Sequence, residues 1–526
     1  MELHNQRKTS EPVKNNVNVK RRGGTHGGIR KMNGMLLSLI FWSVCLHSWA
    51  LGKSSVAGDP TPLSPEVAQY VKINAPVIAL THVRLIDGTG APAREDQTVV
   101  VDRGYITAVG ASAATTIPAG AEQFDYSGHT IIPGIVGMHN HLFFPAPMVF
   151  DDAGHLPPPG YIVVELPFSA PHLYLAAGVT TIRTTGSFFP DTDINIKHLI
   201  DNNRMPGPKI HVTGPYLDGA TELLFQSHVL TGPEDARRRV SFYADDGFTS
   251  WKLYMNITRA EMQAVIEEAH KRHMKVTGHL CSVTWREAIA LGIDDFEHGP
   301  VYTDTEFVSD KAPDSCPSGT ARMKSWANLD VNGPQVQSLI KDLVDHHVAV
   351  TSTLPVFVAS SMNERPPSPR AMQALAPESR NSYLLSRAQT TPEDNAYSAS
   401  FLKKEVEFEH AFFKAGGLLL AGPDPTGSGG VLPGFGDWRE IEMLVEGGFT
   451  PLEAIHVATQ NGADFLGESD KIGTLAVGKQ ADIAVIKGDP SKNIKDIEQV
   501  VLVFKDGVGY DSLKLFDSVK GLVGIK

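Results

Sequence analysis

Cysteine is scarce: Cys45, Cys281 and Cys316 are the only three in 526 residues. So few thiols build neither the disulfide framework of a small secreted domain nor a cysteine-rich zinc site. A surplus of positive charge is missing too. The net charge is −12, and residues 1–31 hold eight Lys/Arg against two Glu, so the rest of the chain stands at −18. A body this acidic argues against nucleic acid as a partner, because phosphate binding needs a basic surface. Long apolar runs are absent. Residues 35–50 come nearest, but they are interrupted by Ser, Cys and His and fall short of the roughly 20 apolar residues of a membrane span. No internal repeat and no low-complexity tract is found. Gly427-Ser-Gly-Gly430 lacks the Gly-Lys-Ser/Thr of a phosphate loop, and Gly186-Ser187 lacks the flanks of a nucleophile elbow.

What is present is ordinary for a globular enzyme-sized chain, with 42% hydrophobic and 20% charged residues, enough for one large domain and a smaller one. The basic tail runs directly into the apolar stretch, and Ser48 and Ala50 put small residues at −3 and −1 of a signal-peptidase site. The expectation is an exported protein, periplasmic or secreted, with no stable membrane span after processing; a retained N-terminal anchor is the rival. After cleavage Cys281 and Cys316 remain, and the sequence leaves their pairing open.

The domain plan follows from composition and periodicity. Residues 1–50 read as basic tail and signal peptide, 51–75 as a Pro/Ser/Gly-containing linker, 76–133 as the first part of a small β-sandwich, and 467–526 as its second part with the C-terminal tail. Between them, 134–466 alternates apolar strands with helical stretches, the pattern of a parallel sheet. Eight strands are expected at 134–139, 179–183, 209–213, 249–254, 274–279, 294–298, 348–353 and 417–422. Thr258-Arg-Ala-Glu261 and Thr450-Pro-Leu-Glu453 are capping-box signals for helix starts.

Chemistry-bearing residues recur where these strands end. His139 and His141 lie two apart on the first strand, so both imidazoles leave one face and can reach one metal. Alone the pair is equally well two solvated loop histidines. Lys252, His279 and His298 fall at the ends of strands four, five and six, and Asp424 follows strand eight. In a (β/α)8 TIM barrel the C-terminal strand ends form the active site, which makes independent coincidence at five strands hard to accept. Tyr254, two residues past Lys252, shares its face and is a candidate oxyanion donor, with barrel packing as the alternative. His228 and Arg183 are candidates for substrate contact; a structural ion pair is the competing role for Arg183.

Taken together, Asp125-Tyr-Ser-Gly-His-Thr-Ile-Ile-Pro-Gly-Ile-Val-Gly-Met-His-Asn-His141, Ala177-Gly-Val-Thr-Thr181, Glu297-His-Gly299 and Ile472-Gly-Thr-Leu-Ala-Val-Gly-Lys-Gln-Ala-Asp-Ile483 resemble the amidohydrolase superfamily, in its branch related to imidazolonepropionase and Xaa-Pro dipeptidases. The resemblance implies an α/β TIM barrel with a small β-sandwich from both termini. It also implies a site with two divalent ions, most plausibly zinc. His139, His141 and Asp424 would bind the buried ion and His279 and His298 the exposed one. Lys252 would bridge them as a carbamate formed from CO2, where a free ammonium could not; the alternative is a lysine paired with Asp424. A metal-bridging hydroxide would attack an amide or peptide-like C–N bond of a small-molecule substrate, with Asp424 as general base and acid. Gly137 and Thr184 depart from the aspartates common in relatives, and Pro423 and Pro425 flank Asp424 where small hydroxyl residues are commoner.

The same site would also suit an ester, lactone or phosphotriester, or a mononuclear cyclic-amide hydrolase. Deamination is disfavoured because Ser282 stands where deaminating relatives tend to carry Glu. A non-catalytic exported binding protein is disfavoured by Asp424, which binding alone does not require. The long loops 300–335 and 354–400 carry no substrate signature, and a homo-oligomer is compatible with the sequence. The leader makes one direct prediction: N-terminal sequencing of native protein should find a start close after Ala50, and an intact N-terminus in a soluble cytoplasmic fraction would reject export.

Overall fold

Eight short parallel strands carry the middle of the chain: β1 (Ile135–Asn140), β2 (Val179–Thr184), β3 (Lys209–Val212), β4 (Ser250–Leu253), β5 (Lys275–Gly278), β6 (Asp295–Glu297), β7 (Ala349–Ser352) and β8 (Leu419–Ala421). The computed structural model describes residues 62–147, 161–219 and 226–525, all within one compact unit, Thr61–Lys526. Every strand expected in this region forms within two residues of its expected ends. They are rich in β-branched and apolar residues and almost wholly buried, as parallel strands covered by helices on their outer face must be.

The strands form two parallel ladders. One runs β3–β2–β1, with Thr181 beside Lys209 and Val179 beside Ile135. The other runs from β4 to β8 in chain order and also takes in the two-residue strands Leu217–Asp218 and His228–Val229. A single parallel bridge, Thr213 to Ser250, joins β3's end to β4. On the far side the Asp424 amide donates to the His139 carbonyl at 3.1 Å. Gly422 lies so close to β1 that a Cβ there would come within 2.1 Å of the His139 nitrogen, so only glycine lets the first and last strands approach this way. Strands alternating with helices in this order make a TIM-barrel-type α/β fold.

Helices start where the sequence marks them. Thr258 and Thr450 each form a full capping box, opening Arg259–His270 and Pro451–His456. The loops expected to be long are largely helical. Gly319–Ala327 lies in the first, while Leu354–Val358, Pro369–Ala374, Pro377–Gln389 and the start of Pro392–Lys414 lie in the second.

Both chain ends build one nine-stranded mixed sheet. Its order is Val71–Ile73, Val508–Asp511, Val500–Lys505, Ile483–Lys487, His129–Pro133, Val77–Leu85, Arg94–Asp102, Tyr105–Ala111, with Glu122–Asp125 pairing off Val77–Leu85. The seam between the two ends is antiparallel, Ile483 opposite Pro133. A separate apolar core with Leu80, Val99, Ile131, Ile483 and Phe504 fills this unit. Within Val77–Leu85 the pairing register shifts between Leu80 and Val83, where His82 adopts φ 58°. One detail corrects the sequence reading. The stretch 51–75 is not linker throughout: Pro65–Ala68 is helical and Val71–Ile73 pairs with Val508–Asp511, because Val71 and Ile73 are β-branched residues with a free sheet edge beside them. The N-terminal leader lies outside the described residues.

Cys281 and Cys316 form a disulfide across 35 residues, tying the segment after β6 back to the end of β5. Closing a loop of this length stabilises by about 3–4 kcal/mol in the chain-entropy account. Replacing both cysteines by serine should therefore cost about 2–4 kcal/mol in denaturant unfolding, and an unchanged midpoint would show that the loop is held by packing alone.

Candidate metal centre

The C-terminal ends of the strands turn a set of ionisable side chains toward one cavity of about 350 Å³. His139 comes from β1 and Lys252 from β4, while His141, His279 and His298 are the residues just past β1, β5 and β6; Asp424 lies three residues past β8, and all six line the cavity with Tyr254. His139, His141, Lys252 and His298 are at most 3% exposed, so charges here feel little solvent.

Asp424 is the point of convergence. Its Oδ1 lies 3.2 Å from His141 Nε2 and 3.7 Å from His139 Nε2, and its Oδ2 lies 3.8 Å from His298 Nδ1. The rings of His139 and His298 are 4.6 Å apart and those of His279 and His298 4.4 Å. Asp424 and His298 both have left-handed backbones, φ 47° and 70°, a conformation that costs a non-glycine residue about 1–3 kcal/mol and concentrates at functional sites. Backbone bonds hold each in place: Asp424 N to His139 O at 3.1 Å, and His298 N to Thr351 O at 3.0 Å.

The histidines are oriented from behind. His139 Nδ1 bonds Glu297 Oε2 at 2.7 Å, and His298 Nδ1 bonds the Thr353 hydroxyl at 2.8 Å. Such a partner fixes the ring and leaves the opposite nitrogen to face a metal. Glu297 was legible only as a motif neighbour of His298; its task emerges when β6 lies across from β1. The cavity side of Gly137 is also filled from elsewhere. A Cβ there would strike the Asn140 amide and lie 2.8 Å from Asp437 Oδ1, and Asn140 donates to Asp437 at 3.1 Å.

Electrostatics suit a cation. Burial pushes His139 down to about 4 despite Glu297, and pushes His279 and His298 well below the usual range, so all three imidazoles are neutral at neutral pH, the form that can bind a metal. Burial alone would raise Asp424, but His139, His141 and Lys252 outweigh it and hold the carboxylate ionised. Burial brings Lys252 down to about 8 against the pull of Glu297 and Asp424. Its nearest carboxylate oxygen is Glu297 Oε1 at 3.9 Å, so it is not the partner of Asp424. Lys252 Nζ, His279 Nε2 and Asp424 Oδ1 are buried and make no hydrogen bond. Unsatisfied buried donors and acceptors facing a common space are costly in a protein interior unless a ligand completes them. The donor set therefore fits a divalent cation. The ligand atoms of His139, His298 and Asp424 lie within 4.8 Å of one another, a group that takes one histidine from each expected pair.

Two expected substrate contacts lie elsewhere. Arg183 is 1% exposed beneath the site; its Nη2 donates to Asp295 at 2.8 Å and Glu297 at 2.9 Å, and its Nε to Met138 O at 2.8 Å. Its position at the end of β2 turns it inward among barrel carboxylates rather than toward the cavity. His228 bonds Asp235 at 3.0 Å and Arg239 at 2.6 Å and does not line the cavity. Phe143–Pro147 pairs with Tyr161–Glu165, and Phe143, Pro145 and Val163 line the cavity, while 148–160 lies outside the described residues.

Comparison with known proteins agrees with this arrangement. Residues 410–509 match the model of the Amidohydrolase family. No curated protein matches the chain. Among solved structures, a Bifidobacterium longum protein provisionally assigned as a prolidase is 24% identical over 84% of this chain and 98% of its own, with a TM-score of 0.57. A Xaa-Pro dipeptidase with methionine bound in its active site is 19% identical over 83% and 100%, TM-score 0.60. Bottromycin amidohydrolase is 19% identical over 87% and 93%, TM-score 0.62. At these identities the structural likeness speaks for the fold, and the family match speaks for the C-terminal fifth of the chain. The amidohydrolase resemblance read from the sequence is borne out by the family match over 410–509 and by the shared fold.

The Arg183 geometry separates a structural from a substrate-binding role. Arg183→Met leaves Asp295 and Glu297 buried without their cation and should destabilise the fold by about 3–5 kcal/mol. Denaturant unfolding reads this directly; a variant as stable as the parent would return Arg183 to substrate binding.

Proposed function

We propose that this protein is a metal-dependent amidohydrolase that cleaves an amide or peptide-like bond at the His139–Asp424 cavity. The observation that carries the reading is the convergence of orphaned Lys252, His279 and Asp424 atoms on one buried, histidine-lined space. The expected ligands are His139, His141 and Asp424 for one zinc ion and His279 and His298 for a second. When bound, such ions activate water and polarise a carbonyl. The protein's own groups do the rest. Lys252, with its pKa lowered, has enough neutral amine to add CO2, releasing a proton and giving an anionic carbamate that can bridge the ions. Asp424, ionised among histidines, accepts a proton and passes it to the leaving nitrogen. Burial raises Tyr254 above its ordinary pKa, so its phenol stays protonated and can donate to a developing oxyanion.

A mononuclear centre is the second reading, favoured by the close grouping of His139, His298 and Asp424. We also read the two ladders as one (β/α)8 barrel over 134–466, with the terminal sheet as its β-sandwich companion. Export, with processing near Ala50, is supported by the Cys281–Cys316 disulfide, since such bonds persist in oxidising compartments. No helix among the described residues is long and apolar enough to cross a membrane.

Metal content and kcat measured side by side on three variants test the assignment. Lys252→Ala should lose metal and activity, with short carboxylic acids restoring part of both, whereas Lys252→Arg should restore neither, since guanidinium stays cationic. Asp424→Asn keeps an oxygen but loses the proton acceptor, so turnover should fall about 10²–10⁴-fold, more than metal content. Full metal and near-full turnover in Lys252→Ala would reject the carbamate. One tightly bound ion, indifferent to bicarbonate, would select the mononuclear centre, and no turnover across amides and esters would leave a binding protein.

A further inference from the structure

The cavity wall speaks to what the site accepts, an inference that rests on the amidohydrolase reading above. Apart from the ionisable groups on its floor, the lining is dominated by Phe143, Phe188, Tyr216, Tyr254, Tyr302 and Phe357. These rings support one another. Phe188 stacks on Tyr216 at 4.6 Å, Tyr216 meets Tyr254 edge-on at 5.3 Å, and Tyr302 meets Phe357 at 5.3 Å. Packed aromatic faces of this kind bury a flat or apolar group and offer an anion no compensation.

Cationic partners for a substrate carboxylate are missing from the wall. Among the described residues, Lys252 on the floor is the one Lys or Arg in the lining. The two nearest guanidiniums are committed elsewhere. Arg322 lies over the Tyr302 ring at 5.2 Å and donates to the Tyr302 carbonyl at 2.6 Å, and Arg183 is held beneath the floor by Asp295 and Glu297. The stretches 148–160 and 220–225 contain no Lys or Arg and three acidic residues. An ionised carboxylate placed among these rings would lose its hydration without gaining an ion pair, which is strongly unfavourable.

We infer that the site takes uncharged amides bearing an aromatic or apolar group, and that it discriminates against substrates with a free carboxylate, such as dipeptides and N-acyl amino acids. The Tyr254, Tyr302 and Tyr216 hydroxyls supply neutral hydrogen-bonding capacity in keeping with an amide or carbamoyl group. A cavity of about 350 Å³ suits a ligand of one ring and a short chain, near the small end of ligand pockets.

The test compares N-benzoyl-glycinamide with N-benzoyl-glycine on metal-replete enzyme, reading benzoate release so that the same bond is followed in both. The neutral compound should be favoured by roughly 10²-fold or more in kcat/KM, the scale on which a site rejects a group it cannot pair. Val356→Arg, which places a guanidinium on the wall, should narrow that preference at least about tenfold by supplying the missing partner. Equal turnover of the two compounds, or preference for the acid, overturns the inference. If neither is hydrolysed, the amide and ester panel above decides the hydrolase reading. Calorimetric titration of the same pair into the same protein then decides this one: tighter binding of the amide supports it, and equal or tighter binding of the acid overturns it.

Discussion

Beneath the cavity, the Arg183 guanidinium spans Asp295 and Glu297 in the buried interior between the parallel strands, and much of the site hangs from that contact. Two strands supply the charges, so the ion network locks β2 against β6 and, through Arg183 to the Met138 carbonyl, against β1. Glu297 then spends its second oxygen on His139. Burial alone would raise the Glu297 pKa, but Lys252, Arg183 and His139 reverse that and keep it ionised. The orientation of the first histidine therefore depends on a cation that never reaches the cavity. Thr277 and Thr351 close the remaining valences by donating to Glu297 and Asp295 at 2.5 and 3.0 Å, as a buried network must if it is not to destabilise the core.

A second buried layer supports the rim. Glu405, Glu409 and Glu440 are all fully buried, and burial raises each above the carboxylate range. Each accepts one bond from the segments that carry the site: Glu405 from Val301 N, Glu409 from the Ser352 hydroxyl, and Glu440 from Leu354 N. The first holds the turn after His298, and the third fixes the chain beside Thr353, which orients the His298 ring. Long helices behind the strands thereby set the positions of residues that were expected from strand ends alone.

Polarity is graded through the site. Its floor concentrates ionisable groups whose pKa values burial has moved toward the neutral imidazole and amine, while its walls are aromatic. The low exposure of the floor strengthens the electrostatics among its charges. The disulfide between Cys281, two residues past His279, and Cys316 anchors the segment that presents Tyr302 and Arg322. Arg322 lies over the Tyr302 ring and does not line the cavity.

The periodicity of apolar residues determined the strands, since each β-branched run is long enough for one buried strand and is bounded by turn residues. It also determined the capping boxes at Thr258 and Thr450, whose geometry depends on neighbours three residues away. Spacing against those strand ends was enough to nominate His139, His141, Lys252, His279, His298 and Asp424, because side-chain direction in a strand is fixed by its period of two. Partnership was not legible. Arg183 reads equally as a substrate clamp or a structural cation until β6 is laid beside it, and His228 looks available until Asp235 and Arg239 are seen to hold it. The pairing of Cys281 with Cys316, the sheet position of Val71–Ile73, and the second oxygen of Glu297 likewise join residues from 35 to more than 400 positions apart. Local sequence fixes direction and element, through sterics and hydrogen bonds within a few residues; which charges face one another, and which rings wall the cavity, is decided only when distant strands pack.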